Sequence, residues 1–399
     1  MQFMFIDGEK LCVYKDGEVT TYESNYIKKY REASLIAAKN LEWKKNGRTE
    51  RLLNEDFFFD DEEVGVSVCS IAPTPNPNEI LYSFIVNESS GIYLKYLDDD
   101  KNTEAHIISS NSVEFTSLYS VLGGLLATVK KGDVVADLAI FSEDRSDYKC
   151  ITSGDSFDEN PSFTDTGTVL FNSYGVARDE NNNFLGYGPS EIFELDLTTM
   201  SIKEYPTKEG FSYIKPMQVR DILYCIKRPV SDEEKSNPLI DILMIPVRIA
   251  QGIVGFVSAF VHAFSGKPLV SEGKKSNGNT MIKQRRKEER SLFVLNKPVS
   301  VEKELKRNQR EWNFGFIPRS WKLIKYKYKN ENEWQEMEVF SGVADFCVAD
   351  TGEVIFTNGR HIFKDNGEEV ERLLDTDCCI KVSPIAPIQV SNLRNYDEI

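Results

Sequence analysis

Short runs in which apolar and polar residues alternate recur along the whole chain, and turn residues separate them. The clearest copy lies between Asp158 and Pro206, where residues 168–173 (TVLFNS) and 191–197 (EIFELDL) alternate with a period of two. Alternation of this kind, bounded by Asp-Gly and Asn-Gly pairs, is typical of antiparallel strands joined by tight turns. The pattern therefore predicts an all-β protein built from hairpins.

The hairpins form a unit that returns about every 45 residues, which is the size of a four-stranded propeller blade. Blades of this kind bury both faces against their neighbours when they are arranged in a ring. The repeats predict blades at approximately 64–110, 111–155, 156–207 and 343–376, and a fifth blade that begins at 211, is interrupted and resumes at Ser320. A sixth blade would combine residues 3–24 with the strand CCIKVSPI at 378–385.

Pairing of the two chain ends in one blade would close the ring without a covalent bond. The sequence therefore predicts a single six-bladed β-propeller over residues 1–399, closed by N- and C-terminal strands. The alternative is a two-domain arrangement that includes a β-sandwich. It explains the regular period less well, so the propeller is the favoured architecture.

The segment GDSFDENPSFTDTGTVLFNS, residues 154–173, resembles the repeat of TolB-type β-propellers. That repeat reads loosely Asp-x-x-Asn-Pro-x-Trp/Phe-Ser-Pro-Asp-Gly, then a strand that ends in Phe-x-Ser, then a second apolar strand. The match departs at residues 164–167, where Thr-Asp-Thr-Gly replaces Ser-Pro-Asp-Gly. The resemblance implies a propeller fold. It does not specify a function, because such blades occur in periplasmic scaffolds and in peptidase gating domains.

Residues 24–46 do not follow the strand pattern. Apolar side chains return there near helical spacing, Ser24 or Asn25 can cap the start, and Gly47 follows the last basic residues. We therefore expect a helical linker that connects the closing blade to the next one.

The second exception is an insertion in the fifth blade, residues 231–319. Residues 239–264 are predicted to form an apolar helix, because their polar or small residues fall on one narrow stripe. Arg248 and His262 bracket 13 residues, fewer than the roughly 18 that a simple membrane span needs. The helix is therefore predicted to lie in an interface or a groove. Its predicted contact residues are Ile253, Phe256, Phe260 and Phe264.

A basic loop, residues 267–290, follows the apolar helix. It holds eight basic and three acidic residues, a local charge of +5 in a chain whose net charge is −15. A polybasic segment gains about 1 kcal/mol per cation near anionic lipid, and Lys283, Arg285 and Arg286 are its predicted contact residues. Three interpretations stay open: the insertion packs on the propeller, docks on an anionic membrane surface, or binds a partner protein.

Composition narrows the classes of function. The chain has 399 residues, 41% of them hydrophobic, with 24 Phe, 17 Tyr and 4 Trp, so it can bury a large core. The net charge of −15 disfavours nucleic acid as a partner. Seven cysteines in a long chain do not indicate a disulfide framework, and the N-terminus lacks the pattern of a secretory signal. We therefore expect a cytoplasmic protein, peripheral at the membrane if the insertion docks there.

Residues with catalytic or metal-binding chemistry form no recognisable motif. The three histidines are far apart, and neither a Gly-x-Ser-x-Gly elbow nor a phosphate-binding loop occurs. No metal site and no cofactor are predicted. A long loop at residues 174–190 extends one hairpin, and long loops in regular repeats are often functional. Its Arg178 and Tyr187, with Asp158 and Glu159, are the predicted ligand- or partner-binding residues at one mouth of the ring.

The sequence thus favours a non-enzymatic binding or scaffold propeller that mediates protein–protein interaction and docks on a membrane surface through its insertion. The alternative is an enzyme, a hydrolase or a lyase, that acts on a small or carbohydrate ligand in the central channel. Convergence of the four predicted binding residues on the ring axis, with a bound metal, would favour the enzyme.

Overall fold

The computed structural model describes residues 1–46, 66–86, 89–98, 103–132, 134–230, 291–308, 311, 313–330, 333–349 and 352–387, and β-strands make up most of them. The chain begins with β1 (Gln2–Asp7), β2 (Lys10–Lys15), β3 (Glu18–Tyr22) and helix α1 (Asn25–Asn46). Two groups of four strands follow, β4 (Val66–Pro73), β5 (Glu79–Val86), β6 (Ser89–Tyr96), β7 (Glu104–Ser110), and β8 (Val113–Val121), β9 (Gly124–Lys131), β10 (Val135–Phe141), β11 (Tyr148–Cys150).

The second half of the chain continues in the same way. Its strands and helix are β12 (Ser156–Phe163), β13 (Val169–Arg178), β14 (Phe184–Asp196), β15 (Ser201–Glu204), β16 (Phe211–Val219), β17 (Ile222–Pro229), β18 (Ser291–Val294), β19 (Lys297–Ser300), α2 (Val301–Arg307), β20 (Lys322–Asn330) and β21 (Glu333–Ser341). The last strands are β22 (Asp345–Val348), β23 (Val354–Thr357), β24 (Gly359–Asp365) and β25 (Val370–Pro384). The alternating segments of the sequence therefore form strands as predicted.

Strands that follow one another in the chain pair antiparallel. The strands β4 to β7 form one four-stranded sheet, and β16, β17, β20 and β21 form another, with the hairpin β18–β19 between β17 and β20. The groups β8–β11 and β12–β15 are joined by a single parallel pair, Ala136 with Phe157. Each group is thus an up-and-down unit whose neighbours in sequence are neighbours in the sheet.

The two ends of the chain share one sheet. The first part of β25 pairs with β24, as in Asp365 with Val370, and its last part pairs with β1, as in Phe3 with Pro384. One long strand therefore belongs to two units, and the N-terminal hairpins extend the sheet that the C-terminal strand begins. The sequence predicts this closure of the ring by strands from both ends.

The hydrophobic core consists of clusters between consecutive units. Met4 and Leu11 share a cluster with Ile80 of β5. Four further clusters each join one unit to the next along the chain: β4–β6 with β8–β10, β8–β10 with β12–β14, β13–β14 with β16–β20, and β16–β20 with β22–β24. A further cluster contains Phe5 of β1 and Ile355 of β23. The packing thus returns from the last unit to the first, as it does in a ring.

Helix α1 is fixed at its start to the β4–β7 sheet. The Oγ of Ser24 accepts the N–H of Ile27 at 3.2 Å, which satisfies one of the otherwise unpaired donors of the first turn. Glu104 of β7 accepts the N–H of Asn25 at 3.0 Å. The residues that the structure describes include no helix long and apolar enough to cross a membrane.

The hairpin β18–β19 is tied to the end of β17. The Nζ of Lys297 donates to the carbonyl oxygens of Pro229 at 3.3 Å and of Val230 at 2.9 Å. Both ends of the segment 231–290 are therefore held at one place on the fold. Residues 231–290 lie outside the described residues, and the predicted apolar helix and basic loop lie within them.

Candidate functional site

The strands that begin the units surround a narrow cavity. These inner strands are β4, β8, β12, β16, β22 and the last part of β25, and each contributes a polar residue to the lining: Ser70, Ser117, Asn160, Lys215, Asp345 and Lys381. The cavity has a volume of about 50 Å³, whereas sites for drug-sized ligands measure about 300–1,000 Å³. It can hold a few water molecules or a small ion.

Several inner strands carry a β-bulge at the level of the cavity. In β4 the pairing register shifts between Val68 and Ser70, and in β8 between Phe115 and Ser117. The register shifts at corresponding places in β12, β16 and β25. A bulge leaves one residue unpaired and changes the direction of the neighbouring side chains. The recurrence of the bulge is therefore what turns polar side chains of successive strands toward one space.

Two of the bulges contain a residue in the left-handed region of backbone conformation. Asn160 has a φ of 53° and Lys215 a φ of 54°, and a proline follows each. This conformation is uncommon for residues other than glycine, and it persists where the surrounding structure imposes it. The proline that follows has no N–H to offer a ladder, so a bulge is one of the few places in a sheet that accepts it.

The side chain of Asn172 connects several inner strands. Its Oδ1 accepts the Nδ2 of Asn160 and the backbone N–H of Lys215, each at 3.0 Å. Its Nδ2 donates to Glu159 at 3.2 Å and to the Oγ of Ser190 at 3.0 Å. A buried polar group of this kind is stabilising when its hydrogen bonds are made, and Asn172 is fully buried.

An ion pair also lines the cavity. The Nζ of Lys215 lies 2.6 Å from the Oδ1 of Asp345, whose Oδ2 accepts the N–H of Val382 at 2.8 Å. Burial lowers the pKa of Lys215, and the charge of Asp345 opposes that shift. The pair links β16, β22 and β25 through one carboxylate.

The predicted binding residues Asp158 and Glu159 are both buried. The Oγ of Ser173 donates to Asp158 at 2.6 Å, and Glu159 accepts the Nδ2 of Asn172 at 3.2 Å and that of Asn296 at 2.8 Å. Burial raises the pKa of Glu159, and the bond from Asn172 opposes this rise. Both carboxyl groups therefore hold neighbouring strands and the β18–β19 turn together.

The predicted binding residues Arg178 and Tyr187 lie in a different setting. The guanidinium of Arg178 makes two bonds to the exposed carboxylate of Asp155, at 2.6 and 2.5 Å. The hydroxyl of Tyr187 donates to the carbonyl oxygen of Val134 at 2.8 Å, and its ring meets that of Phe157 edge-on at 5.5 Å. The four predicted residues therefore take part in different hydrogen bonds: Asp158 with Ser173, Glu159 with Asn172 and Asn296, Arg178 with Asp155, and Tyr187 with Val134.

The segment 174–190 is not the long loop that the sequence predicts. The strands β13 and β14 continue through it as a paired ribbon, with Tyr174 opposite Ser190 and Arg178 opposite Phe184, so only a short turn remains. Aromatic rings on one face of the ribbon explain the extension: Tyr187 packs against Tyr174 at 5.8 Å and Phe184 at 5.0 Å. The contact of Tyr187 with Tyr174 joins the two strands, and cross-strand pairs of this kind stabilise a two-stranded ribbon beyond the body of a sheet.

The predicted membrane or partner contacts lie outside the described residues. They are Ile253, Phe256, Phe260, Phe264, Lys283, Arg285 and Arg286. Within the described ranges, no three His, Cys, Asp or Glu side chains stand together as a metal site would require.

The cavity residues were missed by the sequence analysis, although a signal for two of them was present. Asn160-Pro161 and Lys215-Pro216 occupy the same place in successive repeats, DENPSF and YIKPMQ. Alignment of the repeats on the proline would have marked both positions as inner-strand residues. Lys381, in the segment CCIKVSPI, follows the bulge of β25 without such a proline.

No family model matches the sequence, and no curated protein matches it. Solved structures resemble the fold. A crystal structure of TolB from Acinetobacter baumannii is 11% identical, with a TM-score of 0.49, and the match covers 96% of this chain and 65% of that one. The chain thus spans less than two thirds of that TolB structure. The predicted resemblance to TolB-type propellers is confirmed as a likeness of fold.

Two further similar structures are a nidogen/laminin complex and the tricorn protease. A nidogen/laminin complex matches at 6% identity and a TM-score of 0.47, covering 97% of this chain and 99% of that one. The tricorn protease matches at 11% identity and a TM-score of 0.41, covering 96% of this chain and 35% of that one. At such identities the likeness concerns the fold alone.

Proposed function

We propose that the chain is a six-bladed β-propeller that serves as a non-enzymatic binding module, with residues 231–290 as its docking segment. Strand pairing supports this number of blades. The four-stranded units are β4–β7, β8–β11, β12–β15, β16–β17–β20–β21, β22–β25, and the last part of β25 with β1–β3. Packing between consecutive units that returns to β1 supports a closed ring.

The observation that carries a binding role is the small size of the central cavity. Side chains from its inner strands bond to one another, as in the bonds of Asn160 to Asn172 and of Lys215 to Asp345. The remaining space of about 50 Å³ is too small for a sugar ring or a peptide. A hydrolase or lyase acting on a carbohydrate in the channel would need a wider channel. Partners are therefore bound on the outside of the ring.

The docking segment is the part of the outside best suited to an anionic membrane surface. The bonds of Lys297 to Pro229 and Val230 bring the described residues on either side of the segment close together. Its sequence combines the apolar stretch 239–264 with a basic stretch of net charge +5. Apolar burial and attraction to anionic lipid add together in such segments. The protein would then be peripheral at the cytoplasmic side of a membrane.

Liposome flotation tests this proposal. The intact protein is compared with a variant in which a short Gly-Ser linker replaces residues 238–290, on anionic and on neutral vesicles and at two salt concentrations. A charge variant carries K283Q, R285Q and R286Q in the docking segment. Its matched control carries K10Q, K15Q and K149Q, three exposed lysines on the strands.

We expect the intact protein and the control variant to float with anionic vesicles at low salt. The deletion should abolish flotation, and the charge variant should weaken it, because about 1 kcal/mol is lost per cation. Flotation that survives the deletion would overturn the docking role of the segment. Failure of the intact protein to float would exclude the membrane, and the segment would then either pack on the propeller or bind a partner protein.

A further inference from the structure

Lys381 brings a positive charge to the central cavity, and none of the described carboxylates lies within ion-pair distance of its ammonium group. Within the described part of the chain, its ammonium group makes no hydrogen bond and no ion pair, although the residue is half-buried and lines the cavity. The other cavity lysine, Lys215, is paired with Asp345. Each oxygen of that carboxylate already accepts one hydrogen bond, since its Oδ2 accepts the N–H of Val382. A cation removed from water without a partner is unfavourable unless a ligand compensates it.

Two serine hydroxyls on the same cavity can donate hydrogen bonds. Ser120 of β8 is 4% exposed, and its Oγ is buried without a hydrogen-bond partner. The Oγ of Ser70 in β4 accepts the N–H of Leu118 at 2.9 Å, which leaves its own O–H available as a donor. Both residues line the cavity that Lys381 lines. The donors therefore come from three inner strands.

The charges around the cavity favour an anion over a cation. The lining holds Lys215, Lys381 and Asp345, which together carry one excess positive charge. The nearby carboxyl group of Glu159 already accepts bonds from Asn172 and Asn296. Burial raises the pKa of Glu159, and the bonds from Asn172 and Asn296 and the positive charges of Lys381 and Arg228 oppose this rise.

We propose that the central cavity binds a small inorganic anion, of a size between chloride and phosphate, through the ammonium group of Lys381 and the hydroxyl groups of Ser120 and Ser70. Charged donors and hydroxyls are the groups that hold such anions. The volume of about 50 Å³ suits an ion of this size. The site would join β4, β8 and β25 at the ring axis, and it is independent of the docking segment.

Thermal unfolding and titration calorimetry test the site on the full chain. The reference buffer contains gluconate, which is too large for the cavity, and chloride or inorganic phosphate replaces it at constant ionic strength. The variants are K381M and S120A, and K149M is the matched control, since Lys149 is an exposed lysine on β11. The midpoint temperature should rise with the logarithm of anion concentration for the intact protein and for K149M, because the anion binds only the folded state.

We expect K381M to reduce the affinity for the anion at least about tenfold, equivalent to about 1.4 kcal/mol. In gluconate we expect K381M to unfold at a higher temperature than the intact protein. This opposite pair of effects would not follow from a merely structural lysine. S120A should reduce the affinity for the anion less than K381M does, and K381R should still bind the anion. Equal anion responses of K381M and the intact protein would overturn the proposal, as would the absence of any calorimetric binding of chloride and phosphate. The relative response to the two anions identifies which of them the cavity prefers.

Discussion

The ammonium nitrogen of Lys215 lies 2.6 Å from the Oδ1 of Asp345, although 130 positions separate the two residues in the chain. Asp345 is fully buried, and its second oxygen accepts the backbone N–H of Val382. Removal of a carboxylate from water is costly unless a cation and hydrogen bonds compensate its lost hydration. The pair therefore links the inner strands β16, β22 and β25.

Asp345→Asn should lower the free energy of unfolding by about 3–5 kcal/mol, because it leaves the ammonium of Lys215 buried without a counter-charge. Urea denaturation measures the change. The matched control is Glu338→Gln, which removes an exposed partner of Lys322 in a pair of similar length, 2.6 Å. Exposed pairs contribute about 0–1 kcal/mol. Equal effects of the two substitutions would show that the cavity pair is solvated.

The double variant K215M/D345L removes the whole ion pair, so its stability can be compared with that of variants that lack only one partner. Replacement of a whole buried pair by apolar side chains is often neutral, whereas removal of one partner is costly. We therefore expect the double variant to be more stable than Asp345→Asn. A loss equal to the sum of the losses of the single variants K215M and D345L would contradict a direct interaction.

The carboxyl group of Glu159 should make stability depend on pH. Burial raises its pKa above the ordinary value of 4.5, against the opposing bond from Asn172. The folded state thus holds the proton more tightly than the unfolded state. This contribution to stability is present below pH 4.5 and is lost as pH rises through the raised pKa.

Comparison with Glu159→Gln isolates this contribution, since the amide does not titrate. Urea unfolding of both proteins between pH 4.5 and 8 should show the intact protein losing stability relative to the variant as pH rises. Parallel curves over that range would mean that the carboxyl group has the same pKa in the folded and unfolded states.

Strands could be predicted from the sequence because their pattern is local. Residues 168–173 and 191–197 alternate with a period of two, and they lie in the paired strands β13 and β14. The closing strand at 378–385 could be assigned for the same reason, and it pairs with β1. The extent of the β13–β14 ribbon could not be predicted, because it depends on aromatic contacts such as that between Tyr174 and Tyr187.

The cavity could not be predicted from the alternation, because bulges interrupt it. Asn160 and Lys215 adopt a left-handed backbone conformation that their residue types do not demand. A shift of one residue reverses the face to which a strand residue points. The alternating pattern alone therefore did not identify the cavity lysines Lys215 and Lys381, which only the packed ring brings together with Asp345.

Ser24 should be needed for the start of helix α1. Its Oγ accepts the N–H of Ile27 at 3.2 Å and bonds to the hydroxyl of the buried Tyr82 at 2.7 Å. Ser24→Ala removes the cap and one partner of that hydroxyl, so we expect a loss of about 1–2 kcal/mol in the free energy of unfolding. Ser112→Ala, at an exposed turn, is the control and should change it by less than about 0.5 kcal/mol. A loss no greater than that of the control would mean that solvent caps the helix equally well.

Gly359 and Gly367 offer a matched pair of substitutions. Both have a φ of +91°, so alanine at either position meets the same backbone strain, roughly 1–2 kcal/mol. A Cβ at Gly359 would lie 2.4 Å from a ring carbon of Phe316, whereas a Cβ at Gly367 would meet no atom within 4 Å. Phe316 is 3% exposed and packs in the cluster between β16–β20 and β22–β24, so its ring has little room to move.

Gly359→Ala should therefore lower the free energy of unfolding by about 2–5 kcal/mol, since overpacking of a core adds about 1–3 kcal/mol to the backbone strain. Gly367→Ala should lower the free energy of unfolding only by the cost of the backbone strain. Phe316→Leu, destabilising by itself, should recover part of the loss when combined with Gly359→Ala, because it removes the clashing ring atoms. Urea denaturation of the four variants measures this coupling. If the double variant were as unstable as the sum of its parts, the segment before β20 would not pack on Gly359 in solution.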